Sequence, residues 1–304
     1  MDDLLASAQD LTNIRGALLD FVGPGGFLAK ATLISERPPE TEAALWLTDP
    51  LNSVEAMRGR SSVRAAHTDI AIAISTGFDY AAGYAALAKS TNPSPPALAA
   101  VTRGCIEVMA RAHWLLGASS ARDLVTRHSA LVVRDLKFSV RFGHDMSRPD
   151  KASLSAVQHR EIIEAFVVSQ ELDAIKVPSV TELAASLIDG TFGKGAEYYS
   201  QLSAIAHGES FAINMFLQID VASASSVDPS NISSAAPKKL VLGYAEAMLE
   251  VGRKVVAELV RHMEPPINIV ERWDAAAERA WLRLAAVDEI SPEDARRYWL
   301  EIQR

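Results

Sequence analysis

Apolar residues recur at three- and four-residue intervals almost from one end of this chain to the other, and that period leaves little room for anything but helices. Leu4, Leu5, Ala8, Leu11, Leu18 and Leu19 predict a first amphipathic helix, ended by the turn Gly23-Pro24-Gly25-Gly26. Val63, Ala66, Ile70, Ala73, Ile74, Gly77, Ala81, Tyr84 and Ala88 share one side of a long second helix that Thr91-Asn92-Pro93-Ser94-Pro95-Pro96 stops. Further helices are expected over 97–117, 120–141, 153–175, a short stretch from 178 to 187, then 196–219, 240–263 and 270–286. Ser291-Pro292-Glu293-Asp294 caps a last one, with proline at the first helical position and acids in the first turn. Strand signals are nearly absent. The expected fold is all-α: a multi-helix bundle of about ten helices with a C-terminal helical appendage. Residues 222–237, rich in Ser, Ala, Asn and Pro, read as a mobile loop and divide the chain into a helical core, 1–221, and C-terminal helices, 238–304, that pack on it.

A chain of 304 residues, 49% hydrophobic, can fill a large core. Its 38 Asp and Glu against 30 Lys and Arg argue against coating nucleic acid or an anionic membrane through the overall field, and leave a local basic patch as the only electrostatic route to either. Cys105 is the only cysteine, so one chain can form neither a disulfide nor a cysteine-based zinc site, which suits a reducing compartment. Met1-Asp2-Asp3 lacks the basic start of a secretory signal. The most apolar window, 65–88, is interrupted by His67, Asp69 and Asp79 and reads as a buried helix rather than a membrane span. A cytoplasmic protein without a membrane partner is expected.

Familiar catalytic signatures are missing. The glycine-rich stretches 23–30 and 190–195 lack the spacing and the Gly-Lys-Ser/Thr ending of a phosphate loop, and read as turns. There is no His-Glu-x-x-His, no Gly-x-Ser-x-Gly and no dinucleotide fingerprint, and the seven histidines form no pair at metal-ligand spacing beside acids. No cofactor and no bound metal is expected. Cys105 lies with Val101, Val108 and Ala112 on the apolar side of its helix, where a thiol behaves as a small hydrophobe. His67 shares the apolar face of the second helix and reads as a hydrogen-bonded core residue.

Two helices carry more chemistry than their neighbours. Arg103, Glu107 and Arg111 recur every four residues as a polar ladder, with Trp114 on the same side. Such a ladder is either a surface ion-pair row or, if covered, a set of arginines that must find partners. Further on, Tyr199, Ser203, His207, Ser210 and Asn214 fall in an arc of about 80° opposite Tyr198, Leu202, Ile205, Ala212 and Phe216. A stripe of hydroxyls, imidazole and amide without a Lys or Glu either seals a seam between helices or lines a cleft. Facing inward, Tyr199, Ser203 and His207 would meet Arg103, Glu107 and Arg111 and form one polar site.

The Arg-x-x-x-Glu helix leading to Trp114-Leu115-Leu116, followed about ninety residues later by Tyr-x-x-Leu-Ser-x-x-x-His-Gly at 199–208, resembles a group of uncharacterised bacterial all-α proteins. Their fold is thought to be similar to the HEPN helical superfamily. The similarity covers 96–216. HEPN ribonucleases pair an arginine with a histidine on one helix, four to six residues apart. His207 would match that histidine, but Ser200, Gln201 and Leu202 stand at the arginine positions. The resemblance therefore implies either RNA binding or RNA cleavage by His207 with Arg103 or Arg111 brought from the neighbouring helix.

The fourth helix turns basic: Arg127, Arg134 and Arg141 recur every seven residues on nearly one face. The stripe can pair with the protein's own carboxylates or hold phosphates. Internal pairing is favoured, because no aromatic for base stacking stands in the stripe itself. Two function classes remain: a non-enzymatic binding or regulatory bundle of unknown protein partner, and a HEPN-like RNA-binding or RNA-cleaving enzyme. In the first, Trp273, Trp281 and Trp299 would pack against another subunit of a homo-oligomer.

Overall fold

Helices occupy most of the positions that the periodicity marks. The computed structural model describes residues 5–34, 40–53, 55–57, 60–90, 93–142, 145–148, 151–210, 212, 217–219, 232–234 and 236–302. The fold is an all-α multi-helix bundle. Among the described residues the helices are α1 (Ala8–Ile34), α2 (Glu42–Leu47), α3 (Ser62–Leu87), α4 (Pro95–Leu116), α5 (Ala121–Phe142), α6 (Ala156–Ser169), α7 (Val180–Asp189), α8 (Gly195–Ala206), α9 (Lys238–Met263), α10 (Ile267–Val287) and α11 (Pro292–Ile302). Three two-stranded antiparallel pairs interrupt them: β1 (Glu55–Met57) with β2 (Arg60–Ser61), β3 (Asp145–Arg148) with β4 (Lys151–Ser155), and β5 (Leu217–Ile219) with β6 (Ile232–Ser234).

Long apolar helices make the centre. α3 lies between α1 and α4, α9 packs on α4, α1 and α3, α10 packs on α1, and α7 and α8 pack on each other and on α4. Phe21, Phe78 and Trp273, from α1, α3 and α10, meet edge to face at 5.4 to 6.2 Å and tie those three helices together. α1 and α3 are each long and apolar enough to cross a bilayer by length and composition, and about half of the most apolar window of each, 44% and 50%, is buried in the bundle.

Four expectations are corrected. The turn at Gly23-Pro24-Gly25-Gly26 does not end α1, which runs through it to Ile34. An interior proline costs a helix about 3 kcal/mol, but beyond it Leu28, Ala29, Ala31 and Thr32 are buried, and Gly25 sits where a Cβ would come within 2.3 Å of the Phe78 ring. Close packing on α3 keeps the helix whole. The helix expected over 153–175 is shorter, because 151–155 pairs as β4 and the Ser155/Gln158 capping box starts α6 at Ala156. The helix expected over 196–219 stops at Ala206. Finally, Trp273, Trp281 and Trp299 are 2%, 8% and 3% exposed within the chain, so they present no face to another subunit. Trp281 donates its indole N–H to the Ala295 carbonyl at 2.9 Å, and Trp299 lies under the Arg253 guanidinium. The loop expected at 222–237 lies outside the described residues except for β6, Ala236 and Pro237.

Candidate functional site

The site forms where α8 crosses α4, and glycines place α8 at both its ends. At the start, a Cβ on Gly195 would lie 1.9 Å from the Ala185 carbonyl oxygen of α7, so only glycine permits this joint. Asp189 accepts the Gly195 N–H at 2.5 Å and fixes it further. At the end, Gly208 takes φ +71°, its N–H bonds to Ile205 O at 3.1 Å, and Glu209 N–H bonds to Ala204 O at 3.0 Å. This Schellman arrangement stops α8 and leaves His207 as its C-cap, at an exposed edge. Tyr199, two turns earlier, is buried against α4.

Four of the six candidate residues come together. The Arg103 Nε donates to Glu107 Oε1 at 2.6 Å and to the Tyr199 hydroxyl at 3.3 Å. The Tyr199 hydroxyl donates to the same Glu107 oxygen at 2.5 Å. Arg103 Nη1 is hydrogen-bonded to His207 Nε2. A guanidinium can only donate, so the imidazole Nε2 accepts through its lone pair and its own N–H stands on Nδ1. The arginine also lies 5.8 Å over the Tyr199 ring.

Two candidates stay outside. Ser203 is half-buried between Tyr199 and His207, but none of these hydrogen bonds uses its hydroxyl; its carbonyl accepts the His207 N–H at 2.9 Å. Arg111 leaves the ladder and pairs with Asp135 of α5. Asp135 is the partner that the spacing of α4 could not reveal, since it comes from another helix. Ser210 is exposed, and Asn214 lies outside the described residues.

The electrostatics favour a fixed arginine. Partial burial works against the Arg103 charge, but the bonds to Glu107 and Tyr199 outweigh it and hold the guanidinium above its ordinary value. Burial, reinforced by the Glu107 carboxylate, raises the Tyr199 phenol, which stays protonated and acts as a donor. The result is an arginine locked on one edge by a carboxylate and a phenol, with its other end turned toward an exposed imidazole.

Most of the other histidines join helices. His67 is buried with its Nε2 3.1 Å from Nε2 of His262, whose Nδ1 lies 2.8 Å from Glu42. His113 meets Glu258 at 2.5 Å and His128 meets Asp69 at 2.8 Å. Among the described residues no three His, Cys, Asp or Glu side chains gather as a metal-holding group. Cys105 is buried, and burial pushes its thiol up to about 12.

The basic stripe of α5 is mostly used internally. Arg127 bonds to Asp123 and to the Trp114 carbonyl and lies 5.6 Å over the Trp114 ring. Arg134 donates to the Pro178 carbonyl at 2.9 Å. Arg141 is exposed beside Phe142. Phe138 and Phe142, 62% and 64% exposed, stand on the same end of the helix.

No family model, no curated protein and no solved structure matches this chain.

Proposed function

We propose that this chain is an RNA-binding helical protein of HEPN-like type, in which Arg103 and His207 hold one phosphodiester at the α4–α8 crossing. The contact between Arg103 and an exposed His207 across two helices carries the reading. Phosphate oxygens are held best by a planar guanidinium whose direction is already set. Glu107 and Tyr199 set it through Nε, and the Nη2 edge takes no part in the cluster's bonds. In this reading Arg103 on α4 would stand in for the arginine that HEPN ribonucleases carry on the histidine's own helix.

Cleavage is the second reading, and the exposure of His207 at the end of α8 favours it. If a bound phosphate draws the Arg103 guanidinium onto its oxygens, the His207 Nε2 lone pair is released to take the proton of a ribose 2′-hydroxyl; the 2′-oxygen then bonds to phosphorus, the P–O5′ bond breaks, and the 5′-oxygen leaves with a proton from water. The acidic balance of the whole chain limits affinity, so binding should be local and salt-sensitive.

The test is titration of a fluorescein-labelled single-stranded RNA by anisotropy, followed by gel analysis of the same RNA. Binding that is weakened at least about tenfold by Arg103→Ala and by His207→Ala supports the site. Cleavage lost in His207→Ala with binding retained supports the enzyme. RNA affinity unchanged in both variants refutes the reading.

A further inference from the structure

In a chain with a net charge of −8, the outer surface that α1 shares with α10 is positive. On α1, Arg15, Leu19, Phe27, Lys30, Leu33 and Ile34 are all exposed and fall within an arc of about 120°. On α10, Arg272, Arg279 and Arg283 are exposed and lie within about 40° of one another. Among the described residues of the two helices, Asp20 is the only carboxylate on this surface, and Arg283 holds it at 2.7 Å. Glu271, Asp274 and Glu278 stand about 80° or more from the line of arginines. Arg15, Lys30, Arg272 and Arg279 form no ion pair among the described residues.

Contacts at two levels set the helices side by side and antiparallel. Arg283 bonds to Asp20 and would meet a Cβ on Gly16 at 3.0 Å, while Arg272 lies 5.9 Å over the Phe27 ring. Arg279, seven residues beyond Arg272 on the same line of α10, falls between those two crossings. The surface runs about 28 Å from Arg15 to Ile34. Gly23, with open space around it, raises no side chain between Leu19 and Phe27. Leu19, Phe27 and Ile34 therefore project from it, 49%, 51% and 84% exposed. Apolar side chains that protrude among unpaired cations serve no packing need of the bundle.

We propose that this α1–α10 surface docks on a membrane rich in anionic lipid, with Leu19, Phe27, Leu33 and Ile34 entering the boundary between headgroups and acyl chains while the cations meet the headgroups. The proposal is independent of the RNA-binding reading of Arg103 and His207. The negative balance of the whole chain does not oppose it, because salt screens charges beyond about 10 Å and the groups within that reach of the bilayer are positive. Aliphatic side chains gain by leaving water at such a boundary, and Arg and Lys stems can follow them while the charged heads stay at the headgroup level. A second copy of the chain would set these cations against one another. Bases have little to stack on, since three of the four apolar side chains are aliphatic and Arg272 already covers Phe27.

Full-length protein is sedimented with vesicles of phosphatidylcholine that contain phosphatidylserine, and with vesicles of phosphatidylcholine alone. Binding to the first and not the second is expected, and it should weaken as salt rises. Lys30→Ala with Arg279→Ala should weaken it by about twentyfold, about fivefold for each cation removed. Leu19→Ser with Ile34→Ser should weaken it by about tenfold or more. Both pairs change exposed side chains, and circular dichroism with thermal melting checks that they fold. Ile34→Cys carrying an environment-sensitive NBD label reads insertion directly, in a chain whose own Cys105 is buried. Its emission should rise and shift to shorter wavelength on the anionic vesicles. Wild-type protein that does not bind those vesicles, or binding that both variant pairs leave within about twofold, overturns the proposal. Emission that stays unchanged on binding shows that the apolar side chains remain in water and overturns the insertion on which the proposal rests. Protein that ignores vesicles but binds a labelled oligouridine, and loses it in Lys30→Ala with Arg279→Ala, assigns the surface to nucleic acid and overturns the proposal equally.

Discussion

The Tyr199 hydroxyl stands 2.5 Å from Glu107 Oε1, a bond that helps join two stripes whose partners here lie ninety-two residues apart in the chain. The ring of Tyr199 is buried while its oxygen also accepts from Arg103, so the phenol holds both partners of the ion pair in place. Tyr199→Phe should cost about 1 to 2 kcal/mol in urea unfolding, because the carboxylate loses a donor in a partly covered place. It should also weaken RNA binding less than Arg103→Ala does. A variant as stable as the wild type would mean that water replaces the hydroxyl freely and that the crossing is not set by this bond.

Cys105 should be silent to thiol reagents in the folded protein. Reaction needs the thiolate, and a thiol pushed up to about 12 by burial leaves about one part in ten thousand ionised at pH 8. Ellman's reagent should therefore report no thiol until denaturant is added, and then one per chain. Prompt labelling under native conditions would require the face of α4 bearing Cys105 to open readily.

The pairing of the two stripes was legible because each helix shows its polar residues opposite a clear apolar side, and that opposition survives in Leu98, Cys105 and Ala112 of α4 and Leu202 and Ile205 of α8, all buried. The end of α8 was also written in the sequence, as Gly208 directly after His207, but an apolar run continuing to residue 219 masked it. Helix period alone does not show where a turn interrupts an apolar run. Pro24 misled in the opposite direction: local chemistry says stop, and the fit of Gly25 under the Phe78 ring overrules it. The departure of Arg111 to Asp135 could not be read at all, since it depends on how a different helix crosses α4.

Gly195→Ala should be among the most damaging single substitutions outside the central core. The new methyl would fall 1.9 Å from a backbone oxygen of α7, which no side-chain rotation can relieve. A loss of about 2 to 4 kcal/mol and weakened RNA binding are expected, because α8 must shift to relieve the clash and carries Tyr199 and His207 with it. Gly193→Ala offers a comparison: it has open space around it and only a positive φ of 79° to oppose it, so it should cost about 1 kcal/mol. Equal effects at the two positions would show that backbone conformation, not the α7–α8 contact, decides the joint.

Glu246 on α9 gives the bundle a pH dependence that can be isolated. Burial, with Asp288 and Glu250 close by, raises its carboxyl from 4.5 to about 7. The folded state thus holds a proton that the unfolded chain gives up, so the stability contributed by protonated Glu246 is fully present below about pH 4.5 and is lost as pH rises to about 7. Glu246→Gln removes the titration while keeping the shape. It should match the wild type near pH 4 and exceed it by about 1 to 3 kcal/mol at pH 8, a range reduced from the full shift because the side chain is only partly covered. Asp274 is also raised by burial, with Arg253 opposing, and it pushes stability the same way in both proteins. The comparison of the two by denaturation across pH cancels that shared part. A gap of the same size at pH 4 and pH 8 would show that charge at residue 246 is not what the fold is paying to bury.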